Sequence, residues 1–167
     1  EIAQMEAISG QKPLAAVWMH TGFLTIDEQK MSKSLNNSIK IDEFLNRYSP
    51  ELLRFWIAKN LWSSPMNYSE STMMEVKGAL EKIEEFVRKI KSTKATKATN
   101  ISKILKKVEE DFYDALADDF NTPKAFAVLF DFINQINKML DENLLDKKSG
   151  THIYKFFEEI NKIFGII

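Results

Sequence analysis

From Ser69 onward the apolar residues recur at a spacing that only helices can use. Met73, Val76, Leu80, Ile83, Val87 and Ile90 step by 3, 4, 3, 4 and 3, so successive side chains return to one side of a helix. Ile101, Leu105, Val108, Phe112 and Leu116 form a second stripe behind a capping Asn100. Phe126, Leu129, Phe130, Ile133, Ile136 and Leu140 form a third behind Thr122-Pro123, and Ile153, Phe156, Phe157, Ile160 and Ile163 a fourth. An amphipathic helix has to bury its stripe. Four such helices joined by short polar links predict a mainly α fold whose residues 69–167 form an antiparallel four-helix bundle. The Phe residues on the stripes read as core rather than as a cofactor pocket, and an apolar content of 44% supplies enough material for it.

The first 68 residues are irregular. Residues 1–8 read as helix, stopped by Gly10 and Pro13. Phe23-Leu24-Thr25-Ile26 favours a strand, Asp27-Glu28-Gln29 a turn, and Lys30-Met31-Ser32-Lys33-Ser34-Leu35-Asn36-Asn37 a polar, basic loop. Two short helices follow, one opened by Asp42 and one by Ser49-Pro50, before a break at Ser63-Ser64-Pro65-Met66-Asn67. The opening residues resemble the middle of a helix and the last four are apolar around Gly165, which suggests a part of a longer protein. With no cysteine, the chain offers no disulfide, thiol nucleophile or thiolate metal ligand of its own. Its longest apolar runs, such as residues 14–19, are far below the roughly 20 residues that span a bilayer. A cytoplasmic protein without a membrane partner or targeting peptide is expected.

A net charge of −1 conceals an uneven distribution. Residues 82–107 carry nine basic side chains against Glu84 and Glu85, and residues 108–143 carry nine acidic ones against Lys124 and Lys138. Two solvated faces would account for this. So would a basic tip offered to a phosphate backbone through Lys89, Lys91, Lys94 and Lys97, with the acidic helix facing away.

The sharpest signal for chemistry is Lys30-Met31-Ser32-Lys33-Ser34. Two lysines on a serine-containing loop after a strand can bring ammonium groups and hydroxyl or backbone donors to one polyphosphate. When a carboxylate attacks the α-phosphorus of ATP, charge builds on the departing pyrophosphate. A unit charge pair about 4 Å apart is worth roughly 4 kcal/mol at an effective dielectric of about 20, enough to matter in a transition state. Charge alone would equally suit a surface loop.

The string and the strand before it resemble the KMSKS signature loop of class I aminoacyl-tRNA synthetases, and the wider pattern resembles the cysteine-specific family among them. Glu1-Ile2-Ala3-Gln4 is similar to the start of that family's zinc-site helix, and Trp18-Met19-His20-Thr21-Gly22-Phe23 to the approach to the signature loop. Tyr48-Ser49-Pro50-Glu51-Leu52-Leu53-Arg54-Phe55 resembles the helix after it, and Asn67-Tyr68-Ser69-Glu70 the entry to the helical domain. Asp118-Asp119-Phe120-Asn121-Thr122-Pro123-Lys124-Ala125 resembles the family's bundle signature.

The resemblance implies the tail of a Rossmann-like catalytic domain over 1–38, a stem-contact region over 39–68 and an anticodon-binding-like helical tRNA-binding bundle over 69–167. It implies ATP with Mg²⁺, L-cysteine and tRNA(Cys) as partners of a monomer, and a cysteinyl-adenylate on the way to charged tRNA. Lys33 would contact the ATP phosphates with Lys30 assisting, while Met31, Ser32 and Ser34 complete the ATP-binding loop. Glu1 falls where the family places a carboxylate zinc ligand, the other ligands being expected before it. Zinc would select the substrate thiol over a hydroxyl. Asn36 stands where the family usually has Gly. A His-x-Gly-His motif is also expected upstream; His20-Thr21-Gly22-Phe23 echoes it without the final His. His20 reads as packing at the edge of the active site, and His152 as a bundle residue. Two alternatives remain at this level: a related ATP-dependent cysteine ligase acting on a small amine, and a helical module that binds tRNA without catalysis.

Overall fold

The computed structural model describes residues 1–32, 37–93 and 100–167. It begins with α1 (Ile2–Ser9), which ends as expected at Gly10: the glycine takes a left-handed φ of 68° while its N–H bonds back to Glu6 O. No side chain of α1 is buried. The β-favouring segment becomes β1 (Leu24–Ile26), which turns through Asp27 and Glu28 into β2 (Gln29–Lys30). Both turn residues have positive φ, 47° and 66°, the backbone twist that a two-residue hairpin needs. Lys30 therefore closes a strand instead of opening a loop.

Two short helices, α2 (Ile41–Leu45) and α3 (Pro50–Ala58), come next. Lys40 rather than Asp42 precedes the first, its N–H donating to Glu43. Ser49 caps the second by accepting from Leu52 N at 3.2 Å. The supposed break then holds β3 (Met66–Tyr68), which pairs in parallel with β1 and gives the strand order β2-β1-β3. Three residues after a proline are too few to show an alternating pattern, and their partner lies some 40 positions away.

The four stripes form α4 (Glu70–Lys91), α5 (Ser102–Ala117), α6 (Thr122–Asp141) and α7 (Lys147–Phe164). Their caps sit close to the expected places. Asn100 accepts from Ser102 N although Ile101 is the boundary residue, and Asn121, one position before Thr122, accepts from Lys124 N. Ile163 leaves the α7 stripe, being 51% exposed. Phe164 takes its place, with ring centroids 5.0 Å from Phe126 and 6.4 Å from Phe112.

α5 packs on α6, α4 on α7, and α3 against α4. One buried cluster runs from Phe44 to Ile166, so the short helices share the core of the long ones. Phe55 of α3 meets Phe126 of α6 edge-on at 5.1 Å, and Arg54 Nε donates to Gly165 O at 2.6 Å. Gly150 brings α7 close to the end of α4, where an added Cβ would stand 3.3 Å from Ile90 O. No helix among the described residues is long and apolar enough to cross a membrane.

Candidate functional site

Alternation along the strands gives the small sheet two unlike faces. Leu24, Ile26, Met66 and Tyr68 belong to the core and the hydrophobic residues packed against it. Lys30, Thr25 and Asn67 lie in one row across the sheet, since Thr25 pairs with Lys30 on one side and with Asn67 on the other. Asn67 Oδ1 accepts twice, from Thr25 Oγ1 and from Glu28 N, both at 2.9 Å. Asp27 N donates to Tyr68 O at 3.0 Å. The hairpin turn is thus held by β3. Lys30 Nζ rests 4.8 Å from the centroid of the Phe23 ring, a contact that steadies an exposed ammonium without removing it from water.

Beyond β2 the chain is fastened again. Met31 N donates to Leu24 O at 3.2 Å, and the Asn37 amide bridges two points: its Oδ1 accepts from Ser32 N at 2.9 Å and its Nδ2 donates to Lys30 O at 3.2 Å. Lys30, Met31 and Ser32 are consequently fixed at the start of the loop. Lys33 and Ser34 lie outside the described residues, as does Asn36. Thr25, Asn37 and Asn67 were not among the candidate site residues expected from sequence. Their types signal hydrogen bonding, but their partners come from distant or turning segments that spacing does not reveal.

Of the expected phosphate-backbone lysines, Lys89 pairs with Glu85 at 3.0 Å, which holds that carboxyl below its usual pKa. Lys91 Nζ stands 4.5 Å from the Tyr154 ring centroid. Lys94 and Lys97 lie outside the described residues. On α5, Lys106 and Lys107 face Glu110 and Asp111 one turn on, so part of the basic segment is matched by the start of the acidic one.

Glu1 is exposed ahead of α1, and among the described residues no group of three or more His, Asp or Glu stands close enough together to hold a metal. The described residues do not build a zinc site by themselves. His20 and His152 are exposed in this chain. Gly22, two residues after it, is tightly placed: its N–H bonds to Trp62 O, and a Cβ there would fall 2.0 Å from Ser64 O.

The turn between α5 and α6 is joined to this same segment. Asp119 and Phe120 both have φ of 53°, uncommon for residues with side chains. Trp62 Nε1 donates to Asp119 O at 2.9 Å and Thr122 Oγ1 to Asn60 O at 3.3 Å, tying the turn to the end of α3. At the other end of the sheet, Ser69 caps α4 and Glu70 accepts from Tyr48 Oη at 2.8 Å. Burial and the Glu70 hydrogen bond push the Tyr48 hydroxyl up to about 12, so it remains a donor at neutral pH.

Two family models match the chain. Residues 1–78 match the tRNA synthetases class I (C) catalytic domain, and residues 111–167 match the DALR domain. Cysteine–tRNA ligases from Chlorobaculum tepidum and Pseudomonas entomophila are each 36% identical to it, covering 100% of this chain and 34% of their own length. The cysteine–tRNA ligase of Thermococcus gammatolerans is 33% identical over 99% of this chain and 37% of its own. The chain spans about a third of the length of the curated relatives it matches. With a catalytic-domain match covering the sheet and loop base, a helical-domain match at the other end, and ligase relatives aligned along the whole chain, it belongs to the cysteine–tRNA ligase family of class I synthetases.

Proposed function

We propose that this chain serves an enzyme that joins L-cysteine to tRNA(Cys) at the expense of ATP. The cysteine carboxylate oxygen attacks the α-phosphorus, the bond from that phosphorus to the bridging oxygen of pyrophosphate breaks, and cysteinyl-adenylate and pyrophosphate result. The acyl group then passes to the terminal ribose hydroxyl of the tRNA, releasing AMP. Lys33, with Lys30 assisting, stabilises the charge on the departing pyrophosphate and its Mg²⁺-bound precursor, and Met31, Ser32 and Ser34 complete the loop around the phosphates. The observation that carries this reading is the alignment of the whole chain with cysteine–tRNA ligases. The fastening of Lys30 and Ser32 by Asn37 supports it, because a lysine that acts on a leaving group has to be held in place.

In this reading residues 1–38 end the catalytic domain, 39–68 contact the acceptor stem, and 69–167 are an antiparallel bundle that binds tRNA through Lys89, Lys91, Lys94 and Lys97. Glu1 offers a carboxylate to a zinc site completed by residues outside this chain. The enzyme acts as a monomer in the cytoplasm. Replacing Lys33 by Ala in the complete enzyme is expected to suppress ATP–pyrophosphate exchange by two or more decades, in line with loss of a transition-state contact worth about 3–4 kcal/mol. Unchanged exchange would remove that lysine from the mechanism.

A second reading concerns the 167 residues alone and rests on their spanning about a third of the relatives: they bind tRNA without forming adenylate. Filter binding should then weaken steeply as salt rises. No affinity at low salt would count against it.

A further inference from the structure

We infer that Asn67 is a positioning residue for Lys30, and that through it the strand leading into α4 sets where the phosphate-facing ammonium stands. The inference rests on the adenylation reading above. β2 has only two residues, Gln29 and Lys30, so its ladder to β1 is too short to define the hairpin. The turn before it keeps two side-chain-bearing residues, Asp27 and Glu28, at positive φ, a conformation that is unfavourable without outside help. That help comes from β3. Asn67 Oδ1 takes the Glu28 N–H inside the turn and is the nearer acceptor, at 2.9 Å against 3.2 Å for Met66 O, of the Thr25 hydroxyl inside β1, and Tyr68 O takes the Asp27 N–H.

The row Lys30–Thr25–Asn67 makes the connection direct, since the lysine and the asparagine flank the same threonine. Two residues after Asn67, Ser69 caps α4, and Glu70 anchors the first turn of that helix to Tyr48 and Arg47. A shift of the α4 N-terminus would therefore be felt at the hairpin through Asn67 Oδ1, beside the β3 backbone that pairs with β1 and takes the Asp27 N–H. Because a backbone N–H can only donate, the Glu28 contact fixes which end of the Asn67 amide faces the turn.

This chemistry yields a discriminating pair of variants. Both contacts use Asn67 as an acceptor only, so Asn67→Asp keeps them and Asn67→Ala removes them. In the complete enzyme, ATP–pyrophosphate exchange by Asn67→Ala should show kcat lowered about 10–100-fold, as misplacement of a catalytic group by roughly 1 Å can do, with the KM for ATP much less affected. Asn67→Asp should restore most of the rate. Thr25→Ser should behave as wild type and Thr25→Val should fall between, giving a milder pair should the alanine variant fold poorly. Amide hydrogen exchange on the 167-residue chain should show Glu28 losing protection in Asn67→Ala while α4 to α7 keep theirs.

Wild-type kcat in Asn67→Ala, or equal losses in the Asp and Ala variants, would overturn the inference and leave the adenylation reading standing. Absence of exchange in the wild-type complete enzyme would overturn both.

Discussion

The long helices and the small sheet are held by different physics. No described residue in 1–43 is buried, and the first member of the core is Phe44, whereas along α4 to α7 buried apolar residues recur at nearly every turn. In the first part large apolar side chains are left uncovered by the rest of this chain, with Ile8 at 83% and Phe23 at 66% exposure. The helices rest on burial, which is large and tolerant of detail. The hairpin packs only Leu24 and Ile26 of β1 against that core and is otherwise fastened by backbone pairing and a few directed hydrogen bonds involving Thr25, Asn37 and Asn67, each worth about 1 kcal/mol. Directed bonds add little stability but fix positions, and the lysine proposed to face phosphate stands among them.

The contrast breaks most directly with one substitution on each side. Phe126→Ala removes a fully enclosed ring that touches Phe55 and Phe164, and should cost about 3–5 kcal/mol in urea unfolding. Ile8→Ala should change stability by no more than about 0.5 kcal/mol. Comparable losses for both would mean that the first segment contributes to the cooperative unit. Gly22→Ala comes next, at about 1–3 kcal/mol, because its methyl would meet the Ser64 backbone rather than a yielding side chain. A neutral result in the same denaturation experiment would show that the Gly22 and Ser64 segments can separate freely.

Much of the helical half is legible in the sequence because its cause is local and repeated. All six α4 stripe residues are buried, as are Ile153, Phe156, Phe157 and Ile160 of α7. The departures there are one-position shifts at Asn121 and Ile163, where cap or core residues of similar chemistry stand side by side, and the fully buried Phe86 and Phe132, which lie beside the expected stripes. The sheet is different. β3 was unreadable because its pairing with β1 joins two segments far apart in the chain. Lys30 and Ser32 were singled out by their motif, but nothing in their spacing shows that Asn37 would hold both. Lys89 and Lys91 sit in the predicted basic stretch, yet each has an internal partner, Glu85 and Tyr154, that charge counting does not weigh.

A smaller effect should appear in Asn37→Ala, which removes the amide that accepts from Ser32 N and donates to Lys30 O. Both positions can recruit water, so the expected cost is about 1 kcal/mol of local opening. Hydrogen exchange at the Ser32 amide should quicken about fivefold while α4 to α7 are unchanged. A lower melting temperature for the whole chain, or no change at Ser32, would contradict the picture of a loop base fastened independently of the core.

The subtlest test uses pH to separate the helical part from the joint. Asp146 caps α7 by accepting from the Ser149 hydroxyl and N–H, which holds its carboxyl below the usual aspartate value. A depressed folded pKa means the contribution is complete above the unfolded value of about 3.9 and disappears as pH falls through the folded one. Tyr48, at the joint between α3 and α4, behaves oppositely: its hydroxyl is raised from 10.0 to about 12 by burial and by Glu70. Its contribution is complete below pH about 10 and is lost as pH rises through the folded value. The stability difference between wild type and Asp146→Ala should therefore narrow only in acid, and that between wild type and Tyr48→Phe only in strong alkali. If the difference between wild type and Tyr48→Phe failed to narrow in strong alkali, the phenol donor to Glu70 would not be the group that anchors the start of α4.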